Sequence, residues 1–136
     1  GTATIAMSSQ DVITIGTRDG DWWGASLEIQ ASEGEDLSEF SDGYLNFDIK
    51  GDADFAFNVG YQTGRFLEGN QKNYFVPFGP YERYKISKSW TSIKIPMSEL
   101  SGTATPIDVT GILSFLSQGI GKNKHIQLKN IFYSKQ

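Results

Sequence analysis

The stretch from residue 60 to 84, "GYQTGRFLEGNQKNYFVPFGPYERY", sets seven aromatic rings among amides and two arginines. Aromatic rings offer flat apolar faces, while amide and guanidinium groups offer planar donors and acceptors. Together they suit a ligand with apolar faces and a polar rim. Tyr61, Gln62, Arg65, Asn73, Tyr74, Tyr81 and Arg83 are the candidate contacts here, and Asn58 joins them from the polar side of the preceding strand. The competing reading is a long loop packed by its own aromatics. A second group is the pair Trp22-Trp23 in "DGDWWGASLEIQ". Alternation along a strand sends neighbours to opposite faces. Trp23 then turns inward with Ala25, Leu27 and Ile29, and Trp22 outward with Ser26, Glu28 and Gln30. Trp22 is therefore a candidate binding platform, or else a lid packed under a loop.

Nothing comparable points to bond-breaking chemistry. The chain has sixteen acidic residues, but no pair stands out from polar turns such as "EGED" and "GDAD". His125 is the lone histidine, there is no cysteine, and neither a G-x-S-x-G elbow nor a phosphate-binding G-x-x-x-x-G-K loop is present. The net charge of -4 disfavours nucleic acid, which needs a basic footprint. It suits a neutral partner better than a polyanion. No membrane span is visible.

Short alternating runs separated by turns must position these groups. Val12 to Thr17 and Trp22 to Gln30 read as strands, and the acidic connector of residues 31–42 carries Leu37 and Phe40 as anchors, in a single helical turn. "YLNFDIKG" turns Leu45, Phe47 and Ile49 inward. "FAFNVGYQTG" turns Phe55, Phe57 and Val59 inward and Asn58, Gly60 and Gln62 outward. The polar faces of these two strands, Asn46 and Asp48 with Asn58 and Gln62, are expected side by side in one sheet, as a groove floor or an ordinary solvated face. "NYFVPF" is an edge strand because Pro77 cannot donate to a ladder. Residues 90–97 turn Ile93, Ile95 and Met97 inward, with Trp90 in or near the core. Residues 111–120 and 125–133 complete the set, the last with Ile126 and Leu128 inward. Strands at this spacing without long helices imply an antiparallel sandwich.

Four pieces in order carry a resemblance. "DLSEFSDGYLNFDIKG" (36–51), "FNVGYQTG" (57–64), "WTSIKIPMSEL" (90–100) and "IQLKNIFY" (126–133) resemble the strands of carbohydrate-binding modules appended to bacterial polysaccharidases such as laminarinases and agarases. The resemblance implies an all-β antiparallel sandwich, a jelly roll of the galactose-binding-like type, in one domain over residues 1–136. It implies non-catalytic polysaccharide binding: pyranose C–H faces stack on the rings, and hydroxyls meet amides and arginine. A β-glucan of the laminarin (β-1,3-glucan) class is the expected ligand. Agar-type galactan, mixed-linkage glucan and a ligand-free spacer are the alternatives. The expected setting is a monomeric module, cut from a larger secreted or cell-surface bacterial enzyme and covalently linked to its catalytic domain. No cofactor is expected. Related folds often hold a structural calcium through an Asp in the last strand, but here Lys129 stands in "LKN", and an ammonium cannot ligate calcium. Any calcium would need acidic residues and carbonyls from the early loops.

Overall fold

The computed structural model describes residues 3–7, 12–17, 24–28, 34–117 and 123–136. Two antiparallel sheets face each other. The first has five strands in the order β1 (Ala3–Met7), β2 (Ile13–Thr17), β9 (His125–Ser134), β4 (Tyr44–Gly51) and β7 (Thr91–Pro96). The second has four, in the order β3 (Gly24–Glu28), β8 (Val109–Ser117), β5 (Phe57–Thr63) and β6 (Lys72–Phe78). The antiparallel sandwich expected from the alternating runs is therefore the architecture.

Alternation sets what each strand buries. β4 turns Leu45, Phe47 and Ile49 into the core, and β5 answers with Phe57, Val59 and Tyr61. Phe47 of one sheet and Phe78 of the other stack with centroids 6.1 Å apart, and Phe78 stacks in turn on Phe57 at 5.4 Å. These rings tie the two layers together. β6 lies at an edge of its sheet, as Pro77 requires. Leu37 packs on the core beside a single 3-10 turn, Ser38–Phe40, and Phe40 meets Tyr133 at 6.1 Å.

The structure departs from the sequence reading in four places. β1 adds a strand that the pattern did not indicate. Met97 does not continue β7; it begins the short helix α1 (Met97–Ser101) and is fully buried there. Trp90 is half-buried outside the core, with Lys50 and Lys129 over its ring at 4.8 and 4.3 Å. Most consequentially, β4 and β5 are in different sheets, so their polar faces look out from opposite sides of the sandwich. Asn46 and Asp48 cannot share a groove with Asn58 and Gln62.

Candidate functional site

The outer face of the four-stranded sheet carries a groove of about 540 Å³. All four strands contribute: Ser26 from β3, Ser114 from β8, Gln62 from β5, and Asn73 and Phe75 from β6. Three inter-strand spacings give it a width of roughly 14 Å. The register of the β5–β6 hairpin sets Gln62 opposite Asn73 and Gly60 opposite Phe75. Two amides thus lie side by side, next to a half-buried ring.

Glycines shape this region by close approach. A Cβ on Gly60 would lie 1.8 Å from the Tyr74 carbonyl oxygen, so the backbone of β6 occupies that space. A Cβ on Gly111 would come within 2.5 Å of Ser26 Oγ and 2.6 Å of Ser114 Oγ. The two hydroxyls lie 2.7 Å apart in a hydrogen bond, and Ser114 is buried. Gly111 is therefore required beside the serine pair.

The β5–β6 connection forms one wall. Gly64 and Gly69 both take positive φ, which only glycine adopts freely. Between them Phe66–Glu68 makes a 3-10 turn. The Asn70 side-chain oxygen accepts the Arg65 N–H at 2.8 Å and closes the loop. This holds Phe66 at the rim, 79% exposed. Gln62, Phe66 and Gln71 also line a smaller recess of about 250 Å³ beside the groove, together with Arg65.

The candidates from the sequence scatter across the fold. Gln62 and Asn73 line the groove, and Arg65 lines the adjoining recess. Asn58 is on β5, half-buried, and does not line the groove. Tyr61 is fully buried, hydrogen-bonded through its hydroxyl to Ser101 and stacked on Tyr74 at 5.0 Å. Burial pushes its phenol pKa up, and the Ser101 bond offsets part of that rise. Tyr61 is thus a core residue, and Tyr74 packs against the core with it. Arg83 pairs with Glu99 of α1 at 2.6 Å, and Tyr81 projects into solvent away from the groove. The neighbouring Tyr84 also donates to Glu99, at 2.7 Å; burial and this carboxylate push its pKa up to about 12. Trp22 and Trp23 lie outside the described residues.

Sequence reasoning did not single out Phe66, Phe75, Gln71, Ser26 or Ser114 as contacts. For Phe75 the signal was the Pro77 edge strand. Once that strand begins at Lys72, parity sends Asn73, Phe75 and Pro77 outward together. For the serines the signal was weak, since small polar residues on a sheet face read as ordinary surface.

The groove lining has no titratable side chain among the described residues. It offers rings, amides and hydroxyls. Among the described residues there is no group of three or more His, Cys, Asp or Glu that could hold a metal. At the last-strand position, the Lys129 ammonium packs on Trp90, so the residues there do not fit calcium.

Comparisons with known proteins bear on the fold and the family. The fold matches the family 30 carbohydrate-binding module of a cellulosomal cellulase of Clostridium thermocellum, with a TM-score of 0.74 and 20% identity, over 96% of this chain and 80% of that one. A second family 30 module structure matches with a TM-score of 0.76 and 18% identity, over 98% of this chain and 88% of that one. A family 29 module variant complexed with mannohexaose is more distant, with a TM-score of 0.59 and 12% identity, over 99% and 77% of the two chains. No curated protein matches the sequence. The sequence profile of carbohydrate binding domain 30 matches residues 3–135, so the chain belongs to that family of non-catalytic carbohydrate-binding modules.

Proposed function

We propose that the groove on the four-stranded sheet binds a neutral β-glucan chain, with Phe75 and Phe66 as stacking surfaces and Gln62, Gln71 and Asn73 as hydroxyl partners. The observation that carries this reading is the lining itself: two accessible rings beside three amides, with no charged side chain among the described residues. A neutral, hydroxyl-rich ligand leaves no buried charge unpaired in such a groove. Trp22, two residues before the groove-lining Gly24 in sequence, remains the proposed further platform, and Arg65 is its counterpart in the recess.

The linkage divides into two readings. The family 30 module cited above belongs to a cellulase, which favours β-1,4-linked and mixed-linkage glucan. The sequence motifs resemble modules of laminarinases, which favours β-1,3-glucan. We place the β-1,4-containing glucans first, because the family match spans nearly the whole chain. The module is proposed to act as a monomer tethered to a secreted or cell-surface hydrolase, raising the local substrate concentration through its linker. No helix among the described residues is long and apolar enough to cross a membrane.

Affinity electrophoresis against hydroxyethylcellulose, mixed-linkage glucan, laminarin, glucomannan and agar tests the reading. Retardation is expected on the first two, and Trp22→Ala is expected to weaken it with little change in melting temperature. Retardation on none of the five, by a protein with intact circular dichroism, would overturn the binding assignment in favour of a spacer.

A further inference from the structure

The five-stranded sheet also presents an outer face, and its chemistry is different. β4 sends Tyr44, Asn46, Asp48 and Lys50 to it, and β9 sends Lys129 and Phe132. A bulge in β9 adds a residue: Asn46 pairs with Phe132, but Asp48 pairs with Lys129, so β9 spends one more residue than β4 over this stretch. The extra residue is Asn130, with φ of 54°, a conformation that asparagine tolerates. The bulge aims both Lys129 and Asn130 outward. Asn130 donates to Asp48 Oδ2 at 2.8 Å, and Ser92 donates to Asp48 Oδ1 at 2.7 Å. Both oxygens of this carboxylate are therefore engaged.

The cations on this face meet rings. Lys50 and Lys129 hold their ammonium groups over the single Trp90 indole, and Lys94 holds its own over Tyr44 at 4.3 Å. Among the described residues none of these three, nor Lys88 nearby, forms an ion pair with a carboxylate. Asp52, the other acid here, has Oδ2 occupied by the His125 backbone N–H at 2.8 Å. Two hollows lie on this face, one of about 550 Å³ lined by Lys94, Asn130, Phe132 and Asp48, the other of about 330 Å³ lined by Lys50, Lys88, His125 and Asp52. In a chain of net charge -4, this face gathers four ammonium groups, Lys50, Lys88, Lys94 and Lys129, against the two carboxylates of Asp48, which lies close enough to feel the Lys129 charge, and Asp52.

We propose that this face is a second binding site, for an acidic glycan whose carboxylate or sulfate ester groups meet Lys50, Lys129 and Lys94. Two like charges held over one indole repel each other, and an anion between or beside them relieves that repulsion. The cation–π contacts fix the lysines in advance, which lowers the ordering cost of binding. Neutral sugar rings are a poor match for Trp90 and Tyr44, because ammonium groups already cover those rings. Phe132, 54% exposed and with no cation over it among the described residues, supplies an open apolar surface for a sugar ring beside Lys94 and Asn130. The assignment does not depend on the neutral groove, which lies on the opposite side of the sandwich.

Native affinity electrophoresis at about 0.01 M salt, where the Debye length is about 30 Å, tests it with polygalacturonate, dextran sulfate, poly-glutamate and neutral hydroxyethylcellulose. Retardation is expected with polygalacturonate, dextran sulfate or both, and the pattern tells carboxylate from sulfate ester. It should vanish at high salt and in the Lys50→Gln/Lys129→Gln variant. The Lys50→Arg/Lys129→Arg variant should keep it, which guards against a fold defect. Phe75→Ala should lose the neutral glucan and keep the acidic one. The proposal is overturned by no retardation on either acidic glycan, by equal retardation on poly-glutamate, or by a double Gln variant that behaves as the wild type.

Discussion

The two outer faces of this sandwich are built from the same alternation and carry opposite chemistry. On the four-stranded sheet, Phe75 and Phe66 lie beside Gln62 and Asn73, and no cation covers either ring among the described residues. On the five-stranded sheet, Trp90 and Tyr44 are covered by lysines, and the Asp48 carboxylate accepts from Ser92 and Asn130. An aromatic residue on a sheet face is therefore not yet a sugar platform. What lies over it decides whether a neutral ring can stack there.

The largest effect expected from separating core from groove belongs to Tyr61. Tyr61→Ala should lower stability by about 3–5 kcal/mol, read as a shift in chemical denaturation. The folded fraction should still bind glucan, because Tyr61 is fully buried. Loss of binding with unchanged stability would reverse the assignment of this residue. Next comes Phe75→Ala, which removes the half-buried ring from the groove. A central aromatic anchor is worth about 2 kcal/mol, so titration calorimetry should show roughly thirty-fold weaker binding of neutral glucan. Retained affinity would move the stacking surface elsewhere.

Asn73→Ala tests the amide pair on the same face. Removing one partner of a typical hydrogen bond costs about 1 kcal/mol, a loss of roughly five-fold in affinity. The melting temperature should barely move, since Asn73 is exposed. The smallest effect concerns Asp48 on the opposite face. Hydrogen bonds from Asn130 and then Ser92 hold its carboxyl below the usual carboxylate range. A depressed folded-state pKa stabilises above the unfolded value, about 3.9, and that contribution is lost as pH falls through the folded one. The difference in melting temperature between wild type and Asp48→Asn should therefore shrink below about pH 4. A constant difference would mean that the Asp48 bonds do not favour the charged form.

Much of this fold is legible from alternation. The inward residues of β4, β7 and β9 and the edge position of β6 all follow from period two and from Pro77. Alternation fixes a face within a strand, but not the sheet in which the strand sits. That is why Asp48 and Gln62, both correctly read as outward, are found on opposite sides. Tyr74, read as a contact, turns toward the core, and its neighbour Phe75 lines the groove instead, so the groove turns on a one-residue difference in parity. Phe66 was hidden for another reason. It is held at the rim by a 3-10 turn between two left-handed glycines, a geometry without periodicity to read. Trp90 was misplaced because its partners, Lys50 and Lys129, come from strands distant in sequence.

The claim that the neutral-glycan site is the face of the four-stranded sheet can be tested residue by residue. Titration of the ¹⁵N-labelled protein with cellohexaose, followed by amide and side-chain NMR shifts, reports on both faces in one experiment. The account predicts saturable shifts at Gln62, Asn73, Phe75 and Ser114, with Asn46, Asp48 and Asn130 unmoved. Saturable shifts confined to Asn46, Asp48 and Asn130 would contradict it.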